Sequence, residues 1–329
     1  MNHPHDYMEE LPDRPPIEAI RSLSGIRPFR VVRAIAGEWL LIAAAIAVCQ
    51  TFWHPLLYAV TLVFIGARQH ALLVLGHDAS HYTLLRPRWL NDAVADLFLF
   101  WPTFLSVGVF RHFHRDHHRY LSTPKDANRK LWRTHTAEGE VAPEWLYPKS
   151  GRALFGKLAL KMTGLRGTSW VIRGVLSMFA RPEFRHGSWW FVVARTGFYA
   201  AVAFAVWHFQ VGMEFLLYWV LPFCTWHVTS EYIRLICEHS AVPATVAPYH
   251  LTRTTLPRTW ERWMILPRHI GYHHEHHWYP SVPFYRLPEL HALLAQTTFA
   301  QHGHTSHGVI QALRECTVAR HDASQTASV

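Results

Sequence analysis

Charge is what this sequence has least of. Asp, Glu, Lys and Arg make up 17% of its 329 residues, against about a quarter in a soluble domain of ordinary composition. The deficit is uneven, because long apolar stretches alternate with segments rich in Arg and His. With 50% hydrophobic residues, the chain is not a disordered region, a coiled coil or an ordinary water-soluble enzyme. It is expected to be an integral membrane protein. Cysteine is scarce as well. Cys49, Cys224, Cys237 and Cys316 form no CxxC, which excludes a disulfide framework and a thiolate zinc site. No GxGxxG follows a strand and no cysteine set suits an iron–sulfur cluster. The first 20 residues are polar and Pro-rich, with no signal peptide expected.

Four apolar segments are long enough for a bilayer core of about 30 Å: residues 34–53, 55–75, 189–209 and 211–228. They form two hairpins. The turns at 50–55 and 208–214 carry no Lys or Arg, whereas Arg21, Arg27, Arg30 and Arg33, the loop from Arg86 to Arg185 and the region after Arg234 are basic. The positive-inside rule places both tight turns outside and both termini in the cytoplasm. Fifteen Trp and 12 Tyr suit membrane-interface belts. The stretch 93–110 contains Asp96, Pro102 and Gly108, so a re-entrant or interfacial helix is expected there. Residues 129–187 are basic and are expected on the cytoplasmic surface. Three regions follow: a cytoplasmic segment 1–33, a membrane and cap domain 34–301, and a loose tail 302–329. Arg68 is expected to face inward as a structural group, and Arg195 either to snorkel or to face a partner. The net charge of +9 is accounted for by positive-inside loops and by docking of an acidic protein, leaving no call for nucleic acid.

Histidine is abundant, and it clusters. Of 26 histidines, eight occupy the spaced positions of three short motifs, one HxxxH and two HxxHH. The first is His77-Asp78-Ala79-Ser80-His81, where i,i+4 spacing puts both rings on one helix face. The second is His114-Arg115-Asp116-His117-His118. The third is His273-His274-Glu275-His276-His277. All three lie beside membrane-helix ends on the side that Arg placement marks as cytoplasmic. Crowded imidazolium ions would repel, whereas neutral imidazoles bind metal. Eight ligands exceed the need of one zinc and suit two metals, and nitrogen ligands without thiolates favour redox iron. His239, past the fourth span, is expected as a ninth ligand. His70, His112, His269 and His274 are read as neighbours, and His5, His54, His186, His208, His302, His304 and His307 as background. Two rival readings are weaker. An intramembrane zinc hydrolase would use His77-Asp78-Ala79-Ser80-His81 in place of HExxH, but it leaves two boxes unexplained. A metal transporter would place its ligands at the membrane midplane.

The set HDASH, HRDHHRYLSTPKDA and YHHEHHWYPSVPFYRLPELH resembles the membrane fatty acid desaturase family, over roughly residues 35–295 and in order, spacing and topology. The segment Pro280–Leu290 resembles the acyl-lipid members. The resemblance implies an all-α fold of four spans in two hairpins, with a cytoplasmic cap holding two irons. It implies ligands at His77, His81, His114, His117, His118, His239, His273, His276 and His277. Some members carry an Asn where this chain has Leu235. The implied activity is O2-dependent oxidation of an unactivated C–H bond in a lipid acyl chain, giving a double bond; a fatty-acyl, sphingolipid or carotenoid hydroxylase or ketolase uses the same scaffold. Asp78, Asp116 and Glu275 are candidates to fix imidazole tautomers. No b5-like His-Pro-Gly-Gly occurs, so electrons are expected from a separate donor of ferredoxin or cytochrome b5 type. Its expected contacts are Arg111, Arg115, Arg119, Lys125, Arg129, Lys130, Arg262 and Arg268.

Overall fold

The computed structural model describes residues 13–121, 125–126, 145, 147–180, 189–242, 252–299 and 303–317, the last part of 165–180 as backbone only. His5, His186, His302, Arg129 and Lys130 lie outside the described residues, as do the two ends of the loop 129–187 and the end of the tail.

The described chain is helical apart from one small sheet. A short helix α1 (Ile17–Leu23) precedes the apolar helices α2 (Pro28–Thr51) and α3 (Pro55–Ser80). Each of these long helices starts with Pro in its first turn, where the missing N–H costs nothing. Helix α3 continues past Leu75, the expected end of its span, to Ser80. Every residue from Ile65 to Ser80 is buried, so this half is enclosed by protein rather than lipid and tolerates polar side chains. Helix α8 (Trp189–His208), the third expected span, is the opposite case. It is apolar around its circumference, and Arg195 is its only buried residue, as befits a helix that faces lipid. Among the described residues, α2, α3 and α8 are long and apolar enough to cross a membrane.

The expected re-entrant stretch is a bent pair. Helix α4 (Arg88–Ala95) runs through a π turn (Asp96–Phe100) and a 3-10 turn (Trp101–Thr103), and α5 (Val107–Arg119) leaves it at 90°. Phe104 takes a left-handed φ of 61° at the corner. The Asp96 carboxylate fixes the bend by accepting the Val107 N–H at 2.7 Å, in the first turn of α5. Helices α6 (Gly151–Met162) and α7 (Leu165–Ala180) follow α5.

The expected fourth span is not one regular helix. It comprises α9 (Gly212–Phe215), π turns at Leu216–Val220 and Phe223–His227, and α10 (Val228–His239). Pro222 sits between the π turns and has no N–H to donate to the ladder. Close packing holds this segment to α3. A Cβ on Gly66 would lie 2.8 Å from the Trp226 Cβ and 2.9 Å from the His227 nitrogen. Gln69 donates to the Trp219 carbonyl (2.9 Å), and Trp219 stacks on Trp39 of α2 with centroids 5.3 Å apart.

Beyond α10 lie β1 (Arg253–Thr255), α11 (Thr259–Met264), α12 (His273–Trp278), a 3-10 turn (Phe284–Arg286) and α13 (Leu287–Leu294). The segment expected to begin a loose tail carries β2 (His304–Ser306) and α14 (Val309–Glu315) instead. Strand β2 pairs in parallel with β1, Arg253 opposite His304. Fully buried Arg253 ties the region together, donating to the Ile236 carbonyl (3.0 Å) and to Glu315 of α14 (3.2 Å). Arg68 faces inward as expected. It pairs with Glu38 of α2 at 3.0 Å, and Glu38 also takes Arg268 at 2.6 Å. Arg195 is buried within electrostatic reach of Asp96 and Tyr199, so the snorkelling alternative falls away.

Candidate metal centre

Each histidine box lies at a helix position that aims its rings at one region. His77 occupies the last turn of α3, and His81 is that helix's C-cap residue. His114, His117 and His118 belong to α5, which the 90° bend turns toward the end of α3. His273, His276 and His277 lie on the short helix α12, and His239 is the last residue of α10. A close approach makes room for them: a Cβ on Gly76 would meet the Phe100 ring at 2.8 Å.

The structure brings all nine expected ligands together in two groups. His77, His81, His114, His118 and His276 form one; His117, His239, His273 and His277 form the other. Within each group the potential ligand atoms lie within 4.8 Å of one another. Several Nε2 atoms almost touch. The separations are 2.9 Å for His81 and His114, 3.0 Å for His114 and His118, 3.2 Å for His117 and His239, 2.9 Å for His239 and His273, and 3.0 Å for His273 and His277. A chain of such contacts cannot be satisfied by hydrogen bonds alone, since a ring nitrogen supplies either one proton or one lone pair. Donors about 3 Å apart are what an ion at about 2.0–2.1 Å from each nitrogen requires. The Nε2 atoms of His77 and His276 are buried with no hydrogen-bond partner among the described residues, a costly state unless something binds them. Burial, reinforced by neighbouring imidazoles, holds His114, His118, His273, His276 and His277 well below the ordinary histidine value. Neutral imidazole is the metal-binding form, so the donor set fits two metal ions.

Carboxylates orient the rings from behind. His117 Nδ1 lies 2.9 Å from Asp126, and His273 Nδ1 lies 3.5 Å from Glu238. Glu238 also accepts from Arg234 at 2.9 Å, and burial pushes its carboxyl up to about 7 against the pull of that arginine. Asp78 stands 3.5 Å from His77 Nδ1 and accepts the Phe284 N–H at 2.7 Å, which locks α3 to the turn after the third box. Of the three carboxylates expected from sequence, only Asp78 has this place. Asp116 is partly exposed beside Arg115 at 3.8 Å. Glu275 accepts from His291 (2.5 Å) and Thr254 (2.8 Å), joining α12 to α13 and β1. Asp126 and Glu238 went unnoticed in the sequence, although both stand inside motifs that carry ligands. His70, His112, His269 and His274 lie outside both groups, as expected; His274 bonds Thr252 at 2.6 Å.

Two expected donor contacts are engaged elsewhere. Arg111 donates to the Ser80 and Ala79 carbonyls at 2.9 and 3.1 Å and to Asp92 at 2.9 Å, closing the end of α3. Arg268 is held by Glu38 and the Ala34 carbonyl.

Apolar helices of spanning length, with nine imidazoles gathered where α3, α5, α10 and α12 meet, define a helical protein with a histidine-rich candidate metal centre. The family model for fatty acid desaturase matches residues 51–309. The dihydrorhizobitoxine desaturase of Bradyrhizobium elkanii is 27% identical over 281 residues, covering 82% of this chain and 77% of that protein. An sn-1 oleoyl-lipid 12-desaturase of Picosynechococcus is 25% identical over 323 residues, covering 89% and 84%. Another sn-1 oleoyl-lipid 12-desaturase, from Anabaena variabilis, is 24% identical over 270 residues, covering 78% and 71%. The chain belongs to the fatty acid desaturase family and is an oxidoreductase.

Proposed function

We propose that the nine histidines hold two iron ions and that the enzyme introduces a double bond into the acyl chain of a membrane lipid. The observation that carries this reading is the division of the imidazoles into groups of five and four. When bound, the irons supply O2 activation with two electrons. The protein's part is positioning. Asp126 holds His117 through Nδ1 and leaves Nε2 to face its group. Glu238 stands 3.5 Å from His273 Nδ1 and Asp78 3.5 Å from His77 Nδ1, so each acts on its ring through charge rather than through a hydrogen bond. Burial keeps His114, His118, His273, His276 and His277 neutral.

An apolar cavity of about 1060 Å³ supports a lipid substrate. It lies between α2, the bent pair, α8 and the segment from Val211, lined by Ile35, Trp39, Trp101, Phe198, Val202 and Phe215 among others. This is at the upper end of the range of about 300–1,000 Å³ for small-molecule sites. Leu97 and Phe98 of the π turn line it, whereas Leu99 and Phe100 of the same turn are fully buried, Phe100 against Gly76. The metal centre and the cavity thus share one structural wall. The reading places both termini and the metal centre in the cytoplasm, with four passes through the bilayer. Electrons come from a separate protein of ferredoxin or cytochrome b5 type.

The test is lipid profiling of cells expressing the wild type against His117→Ala, with the mass of any new product measured. Loss of two hydrogens marks desaturation, and gain of one oxygen marks a hydroxylase. Purified protein containing one zinc instead of two irons would overturn the reading.

A further inference from the structure

We propose that His70 and His227 hold water and hand protons from it toward the metal centre; the proposal rests on the desaturase reading. Both side chains are fully buried, and their rings meet edge to face with centroids 5.9 Å apart. All four ring nitrogens are buried without a hydrogen-bond partner among the described residues, as are Gln69 Oε1 and Arg234 Nε nearby in sequence. Phe223 stacks on His227 at 4.2 Å and fixes its plane. As packing, this arrangement is poor. An unpaired buried polar group is destabilising, and Leu or Phe would fill the space without that cost. The four unpaired ring nitrogens of this adjacent pair suit an occupant that can both donate and accept, which is water.

The pair is aimed at the metal centre. His70 lies seven residues before His77, two turns along the same face of α3. His227 lies seven residues before Arg234, two turns along the opposing helix. Arg234 is within electrostatic reach of His70, His227 and His77, and its Nη1 bonds Glu238 beside His273. Toward solvent, Arg68 leads through Glu38 to Arg268, whose side chain is 26% exposed. Polar groups therefore line the α3–α10 contact from His70 and His227 to Arg234, and Arg68, within electrostatic reach of His70, extends them across α2 toward Arg268.

The reaction needs such a path. Desaturation converts R–CH2–CH2–R′, O2, two electrons and two protons into R–CH=CH–R′ and two waters. Two C–H bonds and the O–O bond break, and one C=C bond forms. The electrons come from the one-electron donor protein, and the two added protons come from solvent. A neutral imidazole takes a proton on one nitrogen and releases another from its second nitrogen. Arg234 presents its guanidinium N–H donors to the water that continues the path.

The experiment compares full-length wild type with His70→Leu, His227→Leu and the corresponding Gln variants, all purified with iron and assayed with a donor protein. In the Leu variants turnover should fall ~10²-fold, the lower end of what positioned proton transfer supplies. Electrons consumed per double bond should rise, with the excess recovered as hydrogen peroxide. Iron content should stay at the wild-type level, and Gln, which keeps polar atoms for water, should recover part of the coupling. A wild-type ratio of electrons to double bonds in both Leu variants would overturn the proposal. Should the variants fail to insert or lose iron, X-ray radiolytic footprinting of the metal-free wild type decides, because bound water oxidises the side chains that hold it. Oxygen gain at His70 and His227 supports the relay; two unlabelled rings beside a labelled, exposed His307 overturn it. If the wild type makes no double bonds at all, the desaturase reading fails, and footprinting still reports on the water.

Discussion

His118 and His277 stack ring on ring, with centroids 4.1 Å apart and 15° between their planes. One comes from α5 and the other from α12, and they belong to different imidazole groups. The stack puts a ring of each group in direct contact with the other group. His118→Ala and His277→Ala should therefore each lower iron content by more than half and abolish turnover. Membrane insertion should be unaffected, because it depends on the apolar helices. Metal analysis of the purified variants checks this, and a variant that keeps both irons and full activity would remove that histidine from the centre.

The carboxylates behind the rings should act on affinity rather than on fold. Asp126→Asn and Glu238→Gln keep the shape and lose the charge that stands 2.9 Å from His117 Nδ1 and 3.5 Å from His273 Nδ1. Such outer partners are worth about 10–100-fold in metal affinity or activity. Asp116→Asn should leave both unchanged, since Asp116 touches no ligand and is 32% exposed. Iron retention during dialysis against a graded chelator separates the two classes.

Acid should destabilise the metal-free protein. His114, His118, His273, His276 and His277 are held well below their ordinary value by burial. Below pH ~6.5 the unfolded chain takes up protons that the folded chain refuses, so stability is lost as pH falls from that point. Each such proton contributes a slope of about 1.4 kcal/mol per pH unit. Thermal unfolding of the apoprotein in detergent should show its midpoint falling between pH 7 and 5. A flat profile would mean that the rings titrate freely.

The sequence announced the metal centre more fully than the fold. Ligand spacing of i,i+3 and i,i+4 is local, so HDASH and the two HxxHH boxes could be read directly. His239 was legible because it follows the fourth span by a fixed distance. Partners joined across elements were not legible: Asp126 reaches His117 from a loop, and Glu238 reaches His273 from another helix. Polar composition also misled at 302–317. There, buried Arg253 and His304 both bind Glu315 (3.2 and 2.7 Å) and secure a strand and a helix. The span at 211–228 read as one continuous apolar run, and composition alone does not register the π turns that flank Pro222.

Gly66 should tolerate no side chain. An added Cβ meets the Trp226 Cβ at 2.8 Å and the His227 nitrogen and Pro222 oxygen at 2.9 Å, none of which can swing away. Gly66→Ala should cost about 1–3 kcal/mol, as overpacking does. Gly37→Ala on α2 meets nothing within 4 Å and should be neutral or gain up to about 1 kcal/mol from helix propensity. Thermal unfolding of the pair checks this, and equal midpoints would deny the close α3 crossing.

The final prediction concerns the electron donor. The reaction takes two electrons per double bond, which the proposed function draws from a separate donor protein. A donor docking electrostatically needs cations near the second and third boxes. With Arg111 and Arg268 committed to Asp92 and Glu38, the remaining described candidates are Arg115, whose side chain is 69% exposed, together with Arg119, Lys125 and Arg262. Charge reversal at Arg115 and Arg262 should raise the donor's Michaelis constant several-fold and leave iron content unchanged. Turnover should also fall with salt as the Debye length shrinks from about 10 Å at 0.1 M to about 3 Å at 1 M. Reversal of Arg111 should behave differently, because it opens the end of α3 at His81, and it should lower iron content as well. Donor titrations at two ionic strengths, read beside metal analysis, distinguish docking from structure. Wild-type donor kinetics in the Arg115 and Arg262 variants would move the docking face elsewhere.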